Sequence, residues 1–357
     1  MSDSPDDAPI DLLLAGTVFF DIVFTGFGQA PKPGTEVWTD GMGSSPGGIA
    51  NLAVAASRLG LRTTLAAGFG DDLYADWLWQ QLSEQEHVDL QYSQRFAGQH
   101  TPVTVAMAYA DDRAFVTHGH PWPRSVCQML DPPPASRAVL VDLGDPVMRA
   151  EQWWRRSVAE GALMFATAGW DPAGQWDQHI VDELAHCHAF VPNATEAMGY
   201  THTSSPADAL RELSRHVPLT VVTLGSEGVI AIDATTGEQA HVQALPVTVV
   251  DTTGAGDVFS AAIVLGTLNE WSLERRLEFA SLCAALAVQQ VGGSLAAPGW
   301  GDLLDWWRQV SAQAQAGRPE ARDLTRRFGF LPECLQVADI GTVRRAEATI
   351  ARFSDAR

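Results

Sequence analysis

In residues 248–266, TVVDTTGAGDVFSAAIVLG, an apolar strand expected over residues 248–250 runs into a turn of small residues and then into a helix. Gly254, Ala255 and Gly256 leave room for an anion to approach the main chain, where the first N–H groups of the helix point outward. The helix dipole adds about half a positive charge at that end. Asp257 falls in the first turn, beside this anion hole. A carboxylate so placed can accept a proton from a hydroxyl while the neighbouring N–H groups stabilise charge on a transferring phosphoryl group. The same spelling also fits a plain helix start, with Asp257 favouring the dipole and the glycines only packing closely.

Outward from this turn, strand-like and helix-like segments alternate, which predicts an α/β layer architecture. Residues 10–24 form an apolar run that reads as a buried strand. GGIANLAVAASRLG, residues 47–60, reads as a helix with apolar spacing through Leu52, Ala55, Ala56 and Leu59 and with Gly60 past its end. Further strands are expected at 138–143, 162–166, 189–191, 219–224 and 228–233, and helices at 73–86, 177–186 and 206–215. Two segments break the rhythm. Residues 31–45 follow the first strand, and TPVTVAMAYADDRAFVT, residues 101–117, alternates like a hairpin turning at Asp111 and Asp112. After about Ala314 the chain becomes polar and arginine-rich, as a helical appendage or a loose end would.

The charge balance weighs against several classes of function. The 43 acidic against 23 basic residues give a net charge of −20, which disfavours binding to nucleic acid or to an anionic membrane, both of which need a basic face. A small anion such as ATP is not excluded, because backbone dipoles dominate inside a pocket. Cys127, Cys187, Cys283 and Cys334 stand far apart, without the pairing of a disulfide framework or a zinc ribbon. The start of the chain lacks the basic and apolar stretches of a signal peptide, and no run of about 18 apolar residues exists to span a bilayer. A soluble, cytoplasmic protein is expected. His186, Cys187 and His188 alternate across a helix-to-strand junction with no fourth ligand nearby, a poor zinc site.

Four motifs in order give the chain a resemblance to the ribokinase/PfkB family of carbohydrate kinases. They are PGGIANLAVAASRLG from Pro46, PNATEA from Pro192, VVTLGSEGV from Val221, and DTTGAGD from Asp251, similar to the family's glycine-pair, NxxE, TxGxxG and DTxGAGD signatures. The resemblance implies a Rossmann-like α/β/α sandwich with a central, mostly parallel sheet and a small β lid. It further implies a kinase domain over residues 10–314, with lid segments near 22–46 and 98–120; residues 315–357 have no counterpart in it.

The same resemblance implies transfer of the γ-phosphoryl group of ATP, with Mg²⁺, to a primary hydroxyl of a sugar. Asp257 would be the base, and Gly254, Ala255 and Gly256 the anion hole. Asn193 and Glu196 would serve the phosphates and magnesium, Glu196 through water, and their spacing also fits a helix capping box. Thr223, Gly225 and Gly228 would line the ATP path. Asp251 and Thr253 match part of a monovalent cation (K⁺) site. Asp21, Gly47, Gly48 and Asn51 would hold the sugar, and a homodimer is expected. The sequence also departs from the pattern. Gly48 and Asn51 are separated by one residue fewer than in GGxxxN, and the lysine that follows the glycine pair in several relatives is Ile49, which favours an unphosphorylated acceptor. Asp142, Asp145 and Asp171 are candidates without an assigned place, and Trp38 is an aromatic to watch for substrate contact. Two other readings stay open: a nucleoside kinase of the same family, and a catalytically idle sugar- or nucleotide-binding regulator.

Overall fold

The computed structural model describes residues 10–26, 31–108, 113–169, 174, 176–290, 292–337 and 343. Its strands, in chain order, are β1 (Ile10–Ala15), β2 (Val18–Thr25), β3 (Gly41–Gly48), β4 (Thr63–Ala66), β5 (Gly68–Phe69), β6 (Gln94–Arg95), β7 (Val103–Ala108), β8 (Arg113–His118), β9 (Ser136–Asp142), β10 (Leu163–Thr167), β11 (Ala189–Phe190), β12 (Leu219–Thr223), β13 (Val229–Asp233) and β14 (Glu238–Val242).

The central sheet has the order β14-β13-β12-β11-β10-β9-β1-β4. It is parallel from β4 to β12 and antiparallel at β13 and β14. β1 shows why a strand in such a sheet is apolar on both sides. Leu12 and Leu14 enter one core and Leu13 and Ala15 the other. The helices Ile49–Arg58, Ala255–Leu268, Leu273–Ala287 and Trp300–Gln315 supply the first core, and Ala194–Thr201 and Pro206–Leu213 belong to the second. This is the expected α/β/α sandwich.

A second sheet, β3-β2-β7-β8, forms the small β layer. β2 pairs antiparallel with β3 from Val18↔Gly48 to Thr25↔Gly41 and parallel with β7. The apolar run 10–24 is therefore two strands and not one. Gly16 N–H still bonds Ala66 O of the central sheet (3.3 Å), but Phe20 N–H reaches Pro102 O beside β7 (2.9 Å), so the chain changes sheets at Gly16 and Thr17. Asp21 accordingly sits on β2, in the small sheet. The hairpin β7–β8 forms as expected. Its turn residues Asp111 and Asp112, like Asp171, lie outside the described residues.

Two other boundaries differ from expectation. The helix expected from Gly47 starts at Ile49, because Gly47 and Gly48 finish β3. Gly48 has φ 63°, and a Cβ there would stand 2.3 Å from Thr17 O, so the chain turns where only glycine fits. Residues 248–250 form no strand. The N–H groups of Val250 and Asp251 bond Val288 O (2.7 and 3.2 Å), at the end of a helix, and Val249 and Val250 are exposed. The arginine-rich tail is helical where described. Helices Pro319–Arg327 and Leu331–Val337 return to the core, where Phe328 and Leu331 are fully buried. Among the described residues no helix is long and apolar enough to cross a membrane.

Candidate active site

The helix Ala255–Leu268 begins from Gly254, which takes a left-handed φ of 76°. This hands the first turn to small residues. A Cβ on Gly256 would meet nothing within 4 Å, so there is open space beside the main chain of this turn. Asp251 organises the approach, its carboxylate accepting from Thr253 N–H (2.9 Å) and Gly292 N–H (3.3 Å).

Two cavities meet at this turn. One, of about 500 Å³, is lined by Thr223, Gly225, Ser226, Gly228, Thr252, Ala255 and Gly256, with an apolar end at Leu245, Pro246, Val247, Val249, Ala285 and Val288. The other, of about 310 Å³, is lined by Gly48, Ile49, Asn51, Asp142, Asp145, Thr167 and Asp257. Ala255 and Gly256 thus face one cavity while Asp257, in the same turn, faces the other. The exposed valines that failed to form a strand have a place here, since Val249 is part of the apolar end.

On the side of the smaller cavity, β2 and β3 bring Asp21 opposite Ser45. A Cβ on Gly47 would lie 1.9 Å from Asp21 Oδ2, so the absence of a side chain at 47 makes room for the carboxylate. Burial, reinforced by the charge of Asp251, raises the Asp21 pKa to about 7. Asn51 is buried with its Oδ1 unpartnered, as are Ser44 Oγ and Ser45 Oγ. Unsatisfied buried polar atoms are rare and call for a partner. Asn51 lines the cavity despite its shortened spacing from the glycine pair. The turn from Gly293 to Ala296 closes this side, held by Ser294 Oγ–H to Pro46 O (2.6 Å) and by Arg58 Nη1–H to Leu295 O and Ala297 O (2.9 and 2.5 Å).

At the sheet ends, Asn193 and Thr223 form a parallel bridge between the chains leaving β11 and β12. Asn193 Oδ1 accepts from Glu196 N–H and Asn193 N–H donates to Glu196 Oε2, both at 2.9 Å, a complete capping box. Burial above all, opposed by Asn193 and assisted by the charge of Asp142, pushes Glu196 up to about 7. Asp142 is also raised by burial, against hydrogen bonds from Gly144 N–H and Gly169 N–H. Two mutually repelling, partly desolvated carboxylates suit a hard divalent cation. Asp142 and Asp145, unplaced by sequence, thus belong to the site.

Several other candidate residues lie away from these cavities. Trp38 is 86% exposed and lines neither cavity. His186 lies against Trp154 and His188 against Phe165, ordinary packing contacts. Other tryptophans pack internally, Trp77 on Phe20 and Trp306 on Phe328.

A family model described as pfkB family carbohydrate kinase matches residues 25–122 and 140–299. The chain belongs to the pfkB family of carbohydrate kinases. Members are phosphotransferases that use an alcohol group as acceptor. Among curated pfkB-family relatives, the chain is 31% identical to a fructokinase of Klebsiella pneumoniae over 282 residues, covering 72% of this chain and 90% of that one. It is 27% identical to a nucleoside kinase of Methanothermobacter thermautotrophicus over 300 residues, covering 82% and 94%. Among solved structures, Arabidopsis thaliana ribokinase complexed with ribose and ATP superposes with a TM-score of 0.68 at 22% identity, covering 82% of this chain and 96% of that one. That last likeness concerns the fold.

Proposed function

We propose that this pfkB-family protein transfers the γ-phosphoryl group of ATP to a primary hydroxyl of an unphosphorylated sugar or sugar-like molecule. The observation that carries the reading is the turn 255–257, whose backbone opens on one cavity and whose carboxylate opens on the other. ATP would lie along Thr223, Gly225 and Gly228, with its base at the apolar end and its γ-phosphate at Gly254, Ala255 and Gly256. Asp257 would take the proton of the acceptor hydroxyl as the phosphoryl group arrives. Asp21, Gly47, Gly48 and Asn51 would orient the sugar, whose hydroxyls are donors for the unpartnered Asn51 Oδ1 and for the Asp21 carboxylate. The small sheet would act as a lid that keeps water from competing.

Among the described residues, the smaller cavity is lined by three carboxylates and by no lysine or arginine, which disfavours a phosphate beside Asp257; Arg124 lines only an adjoining cavity. Glu196, with Asp142 beside it, would hold Mg²⁺ through water. The ion would supply charge neutralisation to the phosphates. Asp251 and Thr253 would serve a monovalent cation such as K⁺. We take residues 10–314 as the kinase unit and residues 315–357 as an extension, whose helices Pro319–Arg327 and Leu331–Val337 brace it. The protein would work in the cytoplasm, where ATP is available and its free cysteines stay reduced.

One observation favours a nucleoside acceptor. A cavity of about 430 Å³ shares Gly16, Thr17, Phe19, Asp145 and Met148 with the smaller cavity and continues to Pro121 and Trp122, room for a base beside a ribose. An ATP-consumption assay over ketoses, aldoses, sugar acids and nucleosides separates the readings. Turnover with a free sugar supports the first and turnover with nucleosides alone supports the second. Binding of ATP and sugar with no turnover on any acceptor would overturn both in favour of an idle binding protein.

A further inference from the structure

The hairpin β7–β8 carries a group of side chains for which phosphoryl transfer has no use. His100 precedes β7, His118 ends β8 and His120 follows two residues later. The three rings form one cluster, with centroids 5.0 Å apart for His100 and His118, 4.7 Å for His100 and His120, and 5.0 Å for His118 and His120. One ring nitrogen from each lies within 4.8 Å of the other two. Among the described residues, no other group of His, Cys, Asp and Glu converges in this way.

From this convergence we propose that His100, His118 and His120 form a binding site for a divalent transition metal ion, zinc above all, with a fourth position left to water. Three neutral imidazoles make a borderline-soft nitrogen donor set, which suits zinc, copper or nickel and not magnesium. In a tetrahedral zinc centre with bonds of about 2.0–2.1 Å, ligand nitrogens stand about 3.4 Å apart. The three rings are exposed, so rotamer changes alone can close the remaining gap. The segment carrying His100 is already fixed, because the next residue, Thr101, donates through N–H and Oγ to the Asp72 carboxylate (2.7 Å each). That carboxylate lies within electrostatic reach of His100 and favours a cation there. The ion would tie the strand entering the hairpin to the strand leaving it. His120 also lines the 430 Å³ cavity, so the ion would sit at its rim.

The test is calorimetric titration of the full chain, stripped with chelator, by Zn²⁺ alone, with Co²⁺ absorption as a second signal. One equivalent should bind, with a Co²⁺ spectrum of low coordination number. His100→Ala, His118→Ala and His120→Ala should each weaken binding by at least the about ten-fold that even an outer partner of a metal ligand costs. His179→Ala, at an exposed histidine elsewhere, should change nothing. All these side chains are exposed, so the apo variants should melt like the parent. Absence of stoichiometric uptake, or equal uptake by the triple histidine variant, would overturn the proposal.

Discussion

At the scale of single residues, the proposed acceptor side of the site rests on Asp21 and on the missing side chain at Gly47 beside it. Gly47→Ala should raise the acceptor KM while leaving ATP binding intact, because its Cβ would displace the Asp21 carboxylate. Separate titrations of the two substrates check this. The ionisation of Asp21 gives a signed pH dependence. The unfolded chain releases this proton near 3.8, while the native state holds it to about 7. Its contribution to stability is therefore present below the lower value and lost as pH rises through about 7. Asp21→Asn should gain in relative stability between about pH 5 and about pH 8, read from paired thermal melts. Acceptor binding should move the opposite way and strengthen as pH rises through 7, since the sugar hydroxyls donate to the carboxylate. The Asp21→Asn variant would lack that rise.

At the scale of elements, the glycine pair and the turn 292–296 depend on a buried ion pair. Arg58 and Glu86 join through two contacts of 2.7 Å, and the same guanidinium holds the carbonyls of Leu295 and Ala297. Arg58→Met leaves Glu86 buried without its counter-charge and should cost about 3–5 kcal/mol in denaturant unfolding. Gly228→Ala tests the turn under the ATP path. With φ at 98° and Val242 O only 2.0 Å from the new Cβ, it should destabilise by more than about 1 kcal/mol.

The elements were unevenly legible. The helix from Ile49 and the strand β12 follow from apolar spacing, and the turn 254–257 from its small residues. The change of sheet at Gly16 was hidden, because both strands it separates are apolar. Residues 248–250 have strand composition, yet Val249 lines the larger cavity instead. β14, EQAHV, turns only Ala240 and Val242 to the core, an alternation too short to announce a strand on its own. The three histidines of the hairpin were invisible as a group, since their meeting depends on pairing across β7 and β8; the close spacing of His118 and His120 was the one local sign.

At the scale of the whole molecule, the small sheet and the segment leading into it leave apolar side chains exposed. Met42 and Val116 share one face of the sheet, Phe115 lies on the other, and Trp38 stands in the segment between β2 and β3. Patches of this kind mark interaction sites, and a dimer joined through the two small sheets would cover them. Light scattering should give twice the chain mass, and Val116→Glu should return it to one. Residues 319–337 take the helical one of the two forms that composition allowed for the tail. Arg322 and Arg326 face solvent and Arg327 pairs with Glu278, while Phe328 and Leu331, too sparse to register as a pattern, anchor the segment in the core.

All of these features serve one turn. The most direct test of the account is acceptor-dependent phosphorylation by the parent and by Asp257→Asn, measured at saturating ATP with melting temperature as the control. The account predicts an equally stable variant whose turnover falls by at least about 10²-fold, the scale of a lost general base. An Asp257→Asn protein that is equally stable and phosphorylates its acceptor at the parent rate would contradict it.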